Sequence, residues 1–184
     1  MSPKALIILA EGFEELEAVA AIDILRRAKV DLTIAGLKDG FVKSCREVSI
    51  IPDIVLDNLD TEKFDMLILP GGQPGTSNLA ADARVKRILQ DLNKTNVYIA
   101  AICAAPYVLS EAGILIDRDV TSYPAMQSQL KAKKILKNKN VVIDKNVITS
   151  QGPGTAIQFA LTLVALLKDQ KTADSISKAM LVPK

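Results

Sequence analysis

The stretch NVYIAAICAAPYVLSEAG, residues 96–113, decides how this chain folds. Its first half, VYIAAI at 97–102, is almost continuously apolar, as a strand covered on both faces must be. Its second half, 104–112, reads as a helix. Cys103 lies between them with almost no loop, and the small neighbours Ala101, Ala104 and Ala105 leave room for a sharp turn. A strand that runs straight into a helix is the unit of a parallel sheet, because the chain must cross a face of the sheet before its next strand. The pattern recurs on both sides. Residues 4–10 (KALIILA) read as a buried strand that Gly12 ends. Residues 14–28 follow as a helix whose acidic first turn and basic last turn match its dipole. Residues 30–35 and 64–69 are further strands, the second ending at Pro70-Gly71-Gly72, and residues 78–92 carry helical periodicity. Residues 41–56 look like irregular strands, a hairpin over one end of the sheet. Residues 141–143 and 147–149 are short strands around a turn, and 155–168 and 171–180 are the last helices. There is no internal repeat, low-complexity tract or linker. The expected architecture is α/β, a mostly parallel sheet with helices on both faces, in a single domain over residues 1–184.

Composition narrows the function. The chain has 184 residues, 49% apolar and 24% charged, in the range of a soluble globular protein. A net charge of +2 gives no strong field for nucleic acid or acidic membranes. The basic run Lys131, Lys133, Lys134, Lys137 and Lys139 has no interleaved aromatics and reads as a solvated face. The N-terminus turns acidic too soon for a signal peptide, and the longest apolar run, Val97 to Leu109, is too short for a bilayer and contains Pro106. A cytoplasmic protein is expected, with no membrane and no nucleic acid among its partners. There is no histidine, and there are two cysteines. Ser-His-Asp and Cys-His catalysis, histidine-ligated zinc and Cys-rich metal sites are therefore excluded. No phosphate loop and no dinucleotide fingerprint occurs. No metal and no cofactor is expected, and chemistry falls to Cys, Asp, Glu, Lys, Tyr or backbone amides.

Parallel sheets bind ligands beyond the carboxyl ends of their strands. Four such ends are polar or glycine-rich: 11–17, 70–75, 102–105 and 150–155. At one of them Cys103 fits a nucleophile elbow, which would project the thiol over the sheet edge at a helix N-terminus, where N–H groups favour a thiolate. Plain core filling explains a small buried cysteine equally well. Glu17 falls among Leu16, Ala18, Val19, Ala20 and Ala21, and helical spacing groups it with Ala20, Ala21 and Ile24 on an inward side. A carboxyl group there needs a partner or a proton. If it faced Cys103, a protonated Glu17 donating to a thiolate would be the stable arrangement; a surface glutamate at a helix start is the alternative. The N–H groups of Gly72 and Ala104 could form an oxyanion pocket, although Pro70–Gly75 also suits a tight turn. Gly152-Pro153-Gly154-Thr155 suits helix capping.

The segments ALIILAEGFEELEAV, LILPGGQPG, AAICAAPYVL and TSQGPGTAIQFAL occur in the order and spacing of the ThiJ/PfpI superfamily, and the chain resembles its DJ-one branch of parkinsonism-associated deglycases over essentially its whole length. The resemblance implies a flavodoxin-like three-layer sandwich and a homodimer. It implies a reactive, easily oxidised Cys103 with Glu17 as its partner, and oxyanion donors at Gly72 and Ala104. It implies a cofactor-free glyoxalase or deglycase acting on small dicarbonyls such as methylglyoxal or on glycated substrates, in carbonyl and oxidative stress. The alternative is a redox-sensing, chaperone-like protein whose Cys103 becomes a sulfinate that controls stability or partner binding. Peptidase members carry a histidine directly after the cysteine, where Ala104 stands, so peptidase activity is rejected. Tyr123 occupies the place of a histidine found near the cysteine in many members. Gln151 stands where several have arginine, and Ile51 at about the place of an additional cysteine.

Overall fold

The structure, a computed structural model, describes residues 2–59, 64–95 and 97–183. Met1, Asp60–Lys63, Asn96 and Lys184, which the single-domain expectation also spans, lie outside the described residues. The strands are β1 (Lys4–Leu9), β2 (Asp31–Gly36), β3 (Val42–Lys43), β4 (Ser49–Ile50), β5 (Ile54–Val55), β6 (Met66–Leu69), β7 (Tyr98–Ile102), β8 (Asp119–Val120), β9 (Lys134–Ile135), β10 (Val141–Asp144) and β11 (Val147–Ser150). The helices are α1 (Glu15–Arg27), α2 (Gly75–Ala81), α3 (Ala83–Leu92), α4 (Pro106–Glu111), α5 (Ala156–Leu167) and α6 (Gln170–Ala179). Seven strands form one sheet in the order β10-β11-β7-β6-β1-β2-β5. All its pairings are parallel except that of β10 with β11, a hairpin at one edge. The α/β three-layer expectation holds.

Strand alternation divides the core in two. Ala5, Ile7 and Leu9 of β1 join Met66, Ile68, Ala100 and Ile102 on the face covered by α1 and α5. Leu6 and Ile8 join Leu67, Leu69, Ile99 and Ala101 on the face covered by α3 and α4. Both sets are buried, so the central strands must be apolar at every position, which is why their sequences lack the alternation of a half-exposed sheet. Truncating one of these side chains, such as Leu67→Ala, should destabilise by about 2–5 kcal/mol.

Four local expectations differ from the structure. The helix expected over 78–92 starts earlier and is broken at Asp82, where the backbone is extended. Asp82 caps α3 by accepting from the Arg84 N–H at 2.9 Å, and its carboxylate binds the Arg84 guanidinium at 2.6 Å. A capping aspartate that also holds an arginine outweighs the gain from one continuous helix. The segment 41–56 does hold a hairpin, β3–β4, but Ile54 and Val55 leave it and pair with β2 as the edge of the main sheet. The helix expected over 104–112 begins only at Pro106, since residues 103–105 are the turn itself. The small parallel pair β8–β9 and the 3-10 segment Pro124–Gln129, too short to carry a period, have no counterpart in the sequence reading.

Candidate active site

Three strand ends converge beyond the carboxyl edge of the sheet: β1 leading into α1, β6 into the glycine loop, and β7 into the elbow. Adjacent strands stay in register up to that edge, with Leu69 beside Ala101 and Ile102 beside Ser150. The glycine loop is stitched onto the β1 end. Glu14 N–H donates to Gly71 C=O at 2.8 Å and Gly75 N–H to Gly12 C=O at 3.2 Å. A Cβ on Gly72 would lie 2.4 Å from Glu14 N, and Gly72 has φ +92°, so close approach and backbone both require glycine there.

Cys103 has φ +63°, the left-handed region that a non-glycine residue enters only when its surroundings impose it. Those surroundings are hydrogen bonds. The Cys103 N–H donates to Ser150 C=O at 2.9 Å. Its own C=O accepts from the Tyr123 N–H at 2.8 Å and the Ser122 hydroxyl at 3.1 Å. Two neighbouring segments thus clamp the elbow, and the thiol is 8% exposed. The strand–cysteine–turn arrangement read from the sequence is present.

Glu17 lies on the inward side of α1 and is 1% exposed. Its Oε2 accepts from the Gly71 N–H at 2.7 Å. Its Oε1 is buried without a hydrogen-bond partner of good geometry, while the Cys103 thiol is close enough to interact with the carboxyl group. A Cβ on Gly71 would lie 2.7 Å from Cys103 Cβ, 2.9 Å from Ala104 N and 2.9 Å from Glu17 Oε2. Gly71 therefore sits between acid and thiol, and no other residue fits. Glu14 turns outward and caps α1, its Oε2 accepting from Glu17 N–H at 2.8 Å.

Burial pushes the Glu17 carboxyl up to about 7, against the thiol and the Gly71 N–H, which both favour the carboxylate. Burial, and then the Glu17 charge, push the Cys103 thiol up; the N–H groups of Ala104 and Gly72 pull it down. The lowered thiol expected from a helix N-terminus is thus outweighed by burial and then by the Glu17 charge, and α4, only six residues long, starts three residues beyond the sulfur. Burial disfavours charge on both groups, and acid and thiol titrate as a coupled pair.

The structure therefore brings together Cys103, Glu17, Gly72, Ala104 and Tyr123. The Tyr123 ring is half exposed and stands at the rim, beside Gly152. Sequence reasoning missed Gly71, Ser122, Ser150 and the position of Gly152. Only the doubled glycine at 71–72 carried a signal; the other contacts join segments distant in sequence.

The model of the DJ-1/PfpI family matches residues 3–166. The chain belongs to the DJ-1/PfpI family. It is 42% identical to protein dj-1beta of Drosophila melanogaster, over 99% of this chain and 98% of that protein. The crystal structure of Drosophila DJ-1beta superposes with a TM-score of 0.96 at 42% identity and covers the whole of both chains. A Caenorhabditis elegans relative named glutathione-independent glyoxalase DJR-1.2 is 36% identical over 98% of this chain and 97% of its own length. The segments 11–17, 70–75, 102–105 and 150–155 all lie within the matched residues. Among the described residues no helix is long and apolar enough to cross a membrane.

Proposed function

We propose that this protein is a cofactor-independent glyoxalase-type enzyme that converts small 2-oxoaldehydes to 2-hydroxy acids. The observation that carries the reading is the Glu17–Cys103 pair: one buried carboxyl without a partner on Oε1, one clamped thiol, and two backbone N–H groups directed toward the sulfur. The name of the C. elegans relative supports the reaction class.

The thiolate, with the shared proton on Glu17, adds to the aldehyde carbon of methylglyoxal. The developing oxyanion takes hydrogen bonds from Gly72 and Ala104 N–H and then the Glu17 proton. The Glu17 carboxylate removes the former aldehyde hydrogen, giving an enediolate, and returns that proton to the neighbouring carbon while the hydroxyl proton passes to the former ketone oxygen. The product is a thioester of the 2-hydroxy acid. Water hydrolyses it to lactate and restores the thiol. The atoms balance as methylglyoxal plus water to lactate, and one carboxyl group carries the proton from one carbon to the other. Addition to an early glycation adduct would begin in the same way. The test is steady-state lactate formation by wild type and Cys103→Ser. Equal rates, or no turnover in either, would overturn the reading; a stoichiometric sulfinate on Cys103 without turnover would favour the redox-sensing alternative, in which the same N–H groups hold the sulfinate.

We also propose a homodimer that uses the outward face of α1, where Leu16 and Val19 are exposed apolar side chains. Sedimentation at micromolar concentration should give twice the chain mass. A Leu16→Glu variant that leaves the mass unchanged would remove α1 from the interface.

A further inference from the structure

The glycines around Cys103 are not glycines for the same reason. At Gly12, Gly71, Gly72 and Gly75 an added Cβ would lie 2.3–2.7 Å from the nearest atom, so the fold excludes any side chain. Gly152 differs. Its backbone is extended, with φ 165° and ψ −169°, a conformation open to other residues. An added Cβ would lie 3.4 Å from Tyr123 Cδ2 and 3.9 Å from Cys103 Sγ, which is ordinary van der Waals contact. Neither backbone nor packing demands glycine at 152. What its missing side chain leaves open is a carbon-sized position within contact distance of both the Tyr123 ring and the nucleophilic sulfur.

The backbone on both sides of that space is held. Tyr123 is tied at its backbone to the Cys103 carbonyl, and so is the hydroxyl of its neighbour Ser122. On the other side Gly152 N–H meets Thr155 Oγ1 at 3.1 Å, and Gly152 C=O accepts from the Thr155 N–H at 2.8 Å and its hydroxyl at 2.9 Å. Ser150 Oγ, 2.7 Å from Thr155 Oγ1, joins the same knot to the end of β11. Gln151 turns away, its amide nitrogen bonded to Lys137 C=O and its N–H to Asn140 C=O. A slot whose backbone is held on both sides selects by size more than by adapting.

We propose that Gly152 is a specificity-determining residue: it keeps open a slot between Tyr123 and Cys103 Sγ that receives the substituent carried by the ketone carbon of a 2-oxoaldehyde, with a flat or apolar group packing on the Tyr123 ring. This rests on the glyoxalase reading for the identity of the substrate, but the slot itself concerns only access to the sulfur. The substrates it distinguishes are those with hydrogen, methyl or a larger planar group at that carbon. A methyl on residue 152 occupies the slot without displacing the backbone, so it should reject the larger group in preference to the smaller. A single extra methylene-sized group in an apolar pocket is worth roughly 10–200-fold in discrimination.

Thiol alkylation tests the slot apart from turnover. Cys103 labelling rates are measured by peptide mapping with iodoacetamide, which is slim, and N-phenylmaleimide, which is broad and flat, on wild type, Gly152→Ala, Tyr123→Ala and the double variant. Gly152→Ala should raise the ratio of slim to broad labelling at least about tenfold. Tyr123→Ala added to Gly152→Ala should bring the ratio back toward wild type, which general damage to the fold would not do. An unchanged ratio in Gly152→Ala, or a raised ratio that the double variant does not reverse, overturns the proposal. The same variants are then assayed with glyoxal, methylglyoxal and phenylglyoxal, where Gly152→Ala should lower kcat/KM for phenylglyoxal most. If alkylation shows the slot but no dicarbonyl turns over in wild type, the slot stands and the glyoxalase reading falls.

Discussion

Cys103 and Cys45 each sit beside a carboxyl group, and burial followed by that carboxylate pushes both thiols above their ordinary range. The difference lies in what surrounds each pair. Cys45 follows β3 in a turn, partly exposed, and its Sγ donates to Glu15 Oε2 at 3.4 Å. The opposing influence there is the Arg46 charge, on an exposed side chain whose guanidinium donates to the Cys45 C=O at 3.2 Å. At Cys103 it is two backbone N–H groups, which need no reorganisation when the sulfur becomes charged. Glu15 has water to solvate its charge, whereas Glu17 is sealed in and held up to about 7. A carboxyl group next to a thiol is therefore not enough for a reactive site. The carboxyl must be buried so that it can keep a proton, and fixed dipoles must favour the anion on sulfur.

Removing each sulfur should give the widest separation. Cys103→Ser should abolish lactate formation to the limit of the assay, a loss of at least about 10³-fold for a nucleophile that acts as a unit with its acid–base partner. Cys45→Ser should leave kcat/KM within about twofold, as for a substitution outside such features. A large loss in Cys45→Ser would break the contrast.

Next in size is Glu17→Gln. The amide can still donate to a thiolate but cannot relay protons, so kcat should fall by roughly 10²–10⁴. Glu17→Gln and Glu17→Ala both remove the Glu17 charge that pushes Cys103 up, so the thiolate absorbance of Cys103 should appear at lower pH than in wild type, and lowest in Glu17→Gln, whose amide still donates. If that absorbance titrates at the same pH in wild type, Glu17→Gln and Glu17→Ala, Glu17 is not the partner of Cys103.

Much of this contrast was legible in the sequence. Apolar runs of four to seven residues, each followed by a helical period, dictate a parallel sheet, and three of the converging loops follow from it. Glu17 was readable because a charge amid Ala18, Ala20, Ala21 and Ile24 is out of place on a buried face. The clamp on the Cys103 carbonyl was not, because Ser122 and Tyr123 lie 19 and more residues away in a segment with no period. The raised thiol was also hidden. Helix position suggested a lowered value, whereas the outcome depends on burial and on how near the carboxylate comes, which only coordinates supply. Gly152 read as part of a capping turn, and its contact with the sulfur depends on how β11 ends beside β7.

The raised Glu17 also predicts a pH dependence of stability. Its folded-state value of about 7 lies above the ordinary 4.5, so the folded protein holds a proton that the unfolded chain gives up. Stability should be greatest below about 4.5 as far as this group is concerned, and should be lost as pH rises through 7. The 2.5-unit difference corresponds to about 3 kcal/mol. Urea melts between pH 5 and 7.5 should show that decline in wild type and a flatter profile in Glu17→Gln. Parallel profiles would mean that Glu17 is solvated in the folded state.

The smallest expected effect is at the other thiol. Glu15→Gln removes the Glu15 charge and the acceptor that raise Cys45, leaving burial and the weaker effect of the Glu14 charge. The Cys45 pKa should therefore fall, and its thiolate fraction at pH 7.5 should rise. The gain in alkylation rate will be smaller than the gain in thiolate, because a less basic thiolate is also a poorer nucleophile. With a Brønsted slope of 0.4–0.5, each unit of lowered pKa raises the rate by only about threefold. Iodoacetamide labelling of Cys45, followed by peptide mapping, should thus quicken by about threefold or less, while labelling of Cys103 keeps its rate. A tenfold or larger gain at Cys45 would show that Glu15 holds that thiol as firmly as Glu17 holds Cys103, and the distinction between a buried, proton-keeping carboxyl and a solvated one would fail.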